Sequence, residues 1–123
     1  MLALARAAQD HLSSTNARTH LASLDMRRGQ YAQAAAYYTE VLDVRRRDGE
    51  QVGIAAALHN LSRAAFYQGE LQRAIALLEE SLTHRAAVGD RYEYAWTLDV
   101  LAEAVYVADG WPRMLGRLRR HPG

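Results

Sequence analysis

The stretch LHNLSRAAFYQGELQRAIALLEESL, residues 58–82, decides the fold. Its first half places apolar and small residues three and four positions apart; this pattern stops at Gly69 and resumes at Leu71. Such spacing marks one face of an amphipathic α-helix, and a glycine directly after a helix is a common stop signal. Residues 58–82 therefore predict two consecutive helices joined by a tight turn.

The same pattern recurs every 40 residues along the chain. A shift of 40 places equivalent residue types on one another: Leu2 on Leu42 and Leu82, Leu21 on Leu61 and Leu101, Gly29 on Gly69, Ala34 on Ala74, Arg45 on Arg85, and Gly49 on Gly89. A fixed period of roughly 20–50 residues indicates a solenoid, in which each unit buries its apolar face against its neighbours. The repeat favours a surface that holds a partner over a catalytic pocket.

The repeat predicts an all-α fold, an α-solenoid of antiparallel helix pairs. The first helix of each pair, called the A helix, is predicted over 11–28, 51–68 and 91–108, and the second, the B helix, over 31–47 and 71–87. Residues 1–8 align with the end of a B helix, and the B pattern resumes at Trp111. We therefore expect residues 1–123 to form one domain of about three repeats, incomplete at both ends, with units over 11–50, 51–90 and 91–120.

Composition narrows the function classes. The 123 residues carry a net charge of +1, so no global field favours nucleic acid or an anionic membrane. The chain has no cysteine, which excludes disulfides, thiolate nucleophiles and cysteine-based zinc sites. No signal peptide or membrane-spanning stretch is visible, so the default expectation is a cytoplasmic protein that does not act at a membrane. All 15 basic residues are arginine, which suggests a GC-rich bacterial gene.

The spacing within the units resembles the tetratricopeptide repeat family. The matching positions of the middle unit are Leu58, Leu61, Ser62, Ala65, Gly69, Leu71, Ala74, Leu78 and Leu82, and those of the first unit are Leu21, Ala22, Gly29, Tyr31, Ala34, Tyr38 and Leu42. Small residues at Ala22, Ala34, Ser62, Ala74 and Ala102 would let paired helices approach closely. Asp25 and Ala65 replace a usual tyrosine, Asp109 a glycine and Met114 a small alanine, so we expect looser packing in the third unit.

The 40-residue period is longer than the family's common period of about 34. Long repeats with comparable turns are similar to those of kinesin light chains and, more closely, of large bacterial transcriptional regulators. The resemblance implies a non-enzymatic module whose A helices line a concave groove for a protein or peptide. The groove positions that it implies are Asn16, Thr19, Arg27, His59, Asn60, Arg63, Phe66, Tyr67, Trp96, Asp99, Glu103 and Tyr106, together with Ser23, Met26, Ala56 and Val107.

Two roles stay open for several of these residues. Asn60 could bond to the backbone of an extended peptide or make no such contact, and Phe66 and Tyr67 could contact a ligand or bury between repeats. His59 faces Asp99 across equivalent positions, with Glu103 one turn further. This set could hold zinc or act in acid–base chemistry, but a salt bridge is favoured because the helix axes lie roughly 8–10 Å apart.

No catalytic site, metal set or cofactor loop is readable in the sequence, so an enzyme is not predicted. The arginine runs at 45–47 and 117–120 are interpreted as solvated helix ends, which the helix dipole favours, rather than as a nucleic-acid surface. Two functional hypotheses remain. The chain is an interaction module for a protein or peptide, with a homodimer through its exposed terminal helices as one arrangement; alternatively, it is a ligand-sensing or regulatory fragment of a larger bacterial transcriptional regulator.

Overall fold

The computed structural model describes the backbone of residues 2–121 and the side chains of residue 6 and of residues 14–110 and 113–121. Six helices follow one another: α1 (Leu2–Arg27), α2 (Tyr31–Asp48), α3 (Gln51–Tyr67), α4 (Leu71–Val88), α5 (Arg91–Asp109) and α6 (Trp111–Arg120). Each helix packs against the next one in the chain. The all-α solenoid is thus confirmed, with α1, α3 and α5 as A helices and α2, α4 and α6 as B helices. Within the described residues, no helix has the length and apolar character required to span a bilayer.

The first helix differs from the expectation. Residues 1–8 were assigned to the end of a separate B helix, but α1 runs without a break from Leu2 to Arg27. The sequence explains the continuity, because Gln9 stands at the position that Gly49 and Gly89 occupy in the later units. Without a glycine that can adopt a left-handed conformation, nothing stops the helix there.

Four of the five turns share one geometry. Gly29, Gly49, Gly69 and Gly89 have φ between 68° and 80°. In the turn at Gly69, the amide of Glu70 donates to the carbonyl of Ala65 at 2.9 Å and that of Gly69 donates to Phe66 at 3.0 Å. This pair of bonds satisfies the last carbonyls of the helix and reverses the chain. The turn glycines therefore set where each helix ends.

The fifth turn is shorter. Asp109 lacks the freedom of a glycine, so α5 continues to Asp109, and Gly110 alone connects it to α6 with φ 87° and ψ −178°. Met114, at the position of the fully buried Ala34 and Ala74, is partly buried and packs against the core of the third unit. The substitutions noted in the sequence thus change the local geometry while the helix pair still forms.

The core follows the repeat in two clusters. One joins α1, α2 and α3 and includes Ala22, Tyr38 and Leu58; the other joins α4, α5 and α6 and includes Leu78 and Leu101. The predicted small residues Ala22, Ala34, Ser62 and Ala74 are buried, and Ala102 is partly buried. These small side chains lie between paired helices, as close helix packing requires.

Ion pairs connect the B helices across successive units. Arg46 of α2 forms two hydrogen bonds to the Glu80 carboxylate of α4, at 2.7 and 3.1 Å. Arg117 of α6 likewise forms an ion pair with the Glu79 carboxylate of α4. The hydrogen bond from Arg46 lowers the pKa of Glu80. The B-helix face is therefore occupied by intramolecular ion pairs, while the A-helix face carries the open surface described next.

Candidate functional site

Three depressions lie along the A helices. The arginine depression, between α1, the start of α2 and the end of α3, has a volume of about 330 Å³ and is lined by Ser23, Met26, Arg27, Tyr31, Arg63 and Tyr67. The aromatic depression, between α3 and α5 over α4, has a volume of about 180 Å³ and is lined by His59, Ser62, Arg63, Phe66, Tyr67, Leu78, Trp96, Val100, Glu103 and Ala104.

The third depression, which we call the entry depression, lies between the first halves of α3 and α5 and the end of α4. Its volume is about 300 Å³, and its lining is Val52, Ala55, Ala56, His59, Asn60, Arg85, Val88, Asp90, Glu93 and Trp96. Arg63 and Tyr67 belong to both the arginine and the aromatic depression, and His59 and Trp96 to both the aromatic and the entry depression. Adjacent depressions thus share lining residues, and we call the row of three across α1, α3 and α5 the track.

His59 stands at the centre of this track. Its side chain is 2% exposed, and its ring stacks on Trp96 with a centroid distance of 4.5 Å. Nδ1 lies 3.2 Å from the hydroxyl of the fully buried Thr97, and the buried Nε2 has no hydrogen-bond partner among the described residues. Burial, followed by the positive charge of Arg85, lowers the pKa of His59 to about 4. The imidazole is thus neutral near pH 7.

The predicted salt bridge between His59 and Asp99 is wrong. No ion pair joins His59 to Asp99 or Glu103 among the described side chains, and Asp99 is exposed. A buried neutral imidazole gains more from stacking and from the Thr97 hydroxyl than from a charge that burial disfavours. No group of three metal-ligating side chains occurs in the described part of the chain, so the geometry offers no site of the zinc type that the sequence left open.

Aromatic rings line the track toward α1. Tyr67 is 56% exposed and stacks on Tyr31 of α2 at 5.1 Å, and Phe66 meets Tyr67 edge to face at 5.6 Å. Phe66 is partly buried and packs against the core cluster that joins α4, α5 and α6. Of the two alternatives for these rings, burial between repeats therefore describes Phe66, whereas Tyr67 presents its ring to solvent.

The predicted groove residues separate into two groups. Nine of the twelve line the track or a further depression beside Trp96: Arg27, His59, Asn60, Arg63, Phe66, Tyr67, Trp96, Asp99 and Glu103. Asn16, Thr19 and Tyr106 line none of these depressions. The Thr19 hydroxyl donates to the carbonyl of Thr15 within α1. The side-chain amide of Asn60, by contrast, has no hydrogen-bond partner among the described residues.

Arg85 lines the entry depression but was not among the predicted groove residues. This side chain is 7% exposed, and its Nη1 donates to both the carbonyl and the carboxylate of Glu93. The equivalent Arg45 lies over Gly53 and pairs with Glu50, so the second unit has no carboxylate at the position of Glu93. The alignment of Arg45 with Arg85 was the available signal, but the charge alone did not show which arginine is buried.

Comparisons with known proteins agree with this architecture. A family model described as tetratricopeptide repeat matches residues 13–87. A relative, the regulatory protein AfsR of Streptomyces griseus, is 36% identical over 81 residues, which make up 66% of this chain and 8% of that protein. The chain thus spans a small part of that relative. Because the family match covers more than half of a chain whose helices pair as the repeat predicts, the protein belongs to the tetratricopeptide repeat family.

Proposed function

We propose that the chain is a non-enzymatic interaction module that binds an extended segment of a partner protein along the track. The adjacency of the three depressions carries the proposal, since Arg63 and Tyr67 line two of them and His59 and Trp96 line two of them. Exposed aromatic and arginine side chains along such a surface are the residue types that dominate binding energy at interfaces. The side-chain amide of Asn60 can donate hydrogen bonds to the partner backbone and accept them from it.

A selection of random peptides displayed on phage, followed by affinity measurement on the 123-residue chain, tests this function. We expect Tyr67→Ala to weaken the selected peptides by at least about fivefold, because it removes a ring from the track. Tyr106→Ala is the matched control, since Tyr106 is 55% exposed but lies outside the depressions. Failure to select any peptide, or equal loss in both variants, would contradict the proposed track.

The second hypothesis is a regulatory or ligand-sensing segment of a larger bacterial regulator that acts in the cytoplasm. The similarity to the regulatory protein AfsR favours it. A sensing role predicts that a small molecule raises the melting temperature in a screen of bacterial metabolites. A peptide-binding module without that role predicts stabilisation by peptides alone.

A further inference from the structure

The arginine depression differs in charge from the rest of the track. Arg27 of α1 and Arg63 of α3 both line it and both are exposed, and no acidic side chain is in its lining. The remaining lining consists of Ser23, Met26 and two stacked tyrosines. An anionic group would therefore find two guanidinium groups and no competing carboxylate within this depression.

Some other arginines of the chain are paired, whereas exposed ones such as Arg28, Arg47 and Arg91 also have no ion pair among the described side chains. Arg18 contacts Glu40, Arg46 contacts Glu80, Arg73 contacts Glu70, Arg85 contacts Glu93, and Arg117 contacts Glu79. Among the described side chains, neither Arg27 nor Arg63 has an ion-pair or hydrogen-bond partner. Glu103 lines the aromatic depression together with Arg63, but the two side chains form no ion pair. The guanidinium groups of Arg27 and Arg63 thus lie on the track and not on the paired B-helix face.

The position of the arginine depression adds a second favourable feature. Tyr31, in its lining, is the first residue of α2, whose first turn has no acidic residue and whose N-cap Gln30 makes no side-chain capping bond. The positive end of a helix dipole therefore lies beside the two arginines. Both features favour a negative group at the same place.

We propose that the partner segment carries an aspartate or glutamate carboxylate between Arg27 and Arg63, next to a large apolar side chain that fills the aromatic depression. The inference rests on the proposed function and names the chemistry of the partner. Arg63 lines both depressions, so an acidic and an apolar residue close together in one segment reach both. Guanidinium groups bind carboxylates through paired, charge-assisted hydrogen bonds, and aspartate and glutamate are the side chains of an unmodified polypeptide that carry a carboxylate.

The test uses a fluorescein-labelled peptide, Gly-Asp-Asp-Leu-Asp-Asp-Gly. Its side chains follow the same order in both chain directions, so acidic residues flank the leucine whichever way the peptide lies in the track. Fluorescence polarisation compares it with the analogue in which each Asp is Asn and with the analogue in which Leu is Ser. We expect each analogue to bind at least about tenfold more weakly. The double variant Arg27→Gln with Arg63→Gln should bind the Asp peptide as weakly as the wild type binds the Asn peptide. Arg47→Gln, which changes an exposed arginine at the end of α2, should leave the affinity unchanged.

Several results would overturn the inference. Equal binding of the Asp and Asn peptides would show that the arginines do not select an acid. If Arg47→Gln lost as much affinity for the Asp peptide as the double variant does, the net charge of the protein would explain the effect. Binding only of a peptide in which phosphoserine replaces Asp would show that the arginine depression takes a phosphate and not a carboxylate. If these peptides fail while phage-selected peptides without acidic residues bind the track, the inference fails and the proposed function stands. If no selected peptide binds, the proposed function itself fails. Thermal melts of each variant confirm that the exposed substitutions leave the fold intact.

Discussion

At the scale of single residues, His59 shows how one position serves both the core and the surface. Its ring fills the space between α3 and α5, yet it also supports Trp96, whose side chain is 51% exposed on the track. The histidine was predicted as a groove residue from its place in the repeat. Its burial could not be predicted, because that depends on Trp96 and Thr97, which lie on another helix.

The low pKa of His59 makes stability depend on pH. The folded pKa is about 4 against an ordinary value of 6.5, so the unfolded chain binds more protons between these values. This contribution to stability is therefore complete above about pH 6.5 and is lost as the pH falls toward 4, and the loss has reached roughly 2 kcal/mol at pH 5. The facing charges are those of Arg85, Arg63 and Glu93. Urea denaturation at pH 7 and pH 5 measures the loss.

The control for this prediction is a pair of histidine variants. His59→Gln removes the buried titrating group and should reduce the loss between pH 7 and pH 5 by roughly 2 kcal/mol. His20→Gln changes an exposed histidine of α1 and should leave the loss as in the wild type. An unchanged pH dependence in His59→Gln would show that His59 is not the responsible group.

The buried pair of Arg85 and Glu93 gives a second prediction at this scale. The Arg85 side chain is 7% exposed and depends on the Glu93 carboxylate, whereas the equivalent arginine, Arg45, pairs with Glu50 nearer the surface, where Glu50 is 53% exposed. Glu93→Gln leaves a buried charge without its counterion and should reduce the free energy of unfolding by about 1–2 kcal/mol. Glu50→Gln should cost less than about 0.5 kcal/mol. Similar losses in the two variants, measured in urea, would contradict the difference in burial.

At the scale of helices, the turn glycines explain why the boundaries were predictable. The predicted A and B helices over 31–47, 51–68 and 71–87 agree with α2, α3 and α4 within one residue. Periodicity defined their bodies and glycine their ends. The start of α1 and the turn after α5 were harder, because a missing glycine lets a helix continue by an amount that local sequence does not set.

The same substitution should have opposite effects at two glycines. Gly69 has φ +80°, so Gly69→Ala forces a side chain into a left-handed conformation and should cost about 1 kcal/mol, although its new Cβ meets no atom. Gly116 lies inside α6 without a positive φ, and a Cβ there also meets nothing. Gly116→Ala should stabilise the protein by roughly 0.5–1 kcal/mol because alanine favours helix. Thermal melts of both variants decide the point, and a loss in both would mean that backbone strain is not the cause.

At the scale of the whole molecule, the repeat shows which surface of α1 is uncovered. Leu61 and Leu101 are 2% and 0% exposed, because each packs with the core beside the preceding B helix. Leu21 occupies the equivalent position in α1 but is 44% exposed. Sequence alignment placed the three leucines together, yet it could not show this difference, because burial depends on the neighbouring unit and not on the residue.

The exposed position of Leu21 supports the proposed homodimer through the terminal helices. If a second copy covers α1, the melting temperature should rise with protein concentration and light scattering should give a dimer mass. Leu21→Glu should then give a monomer with a constant melting temperature, because a carboxylate would enter an apolar contact. Val107→Glu changes a side chain that is 54% exposed on α5 and should leave the dimer intact. A monomer at every concentration would contradict the dimer and show that the helix pairs hold together with Leu21 in water.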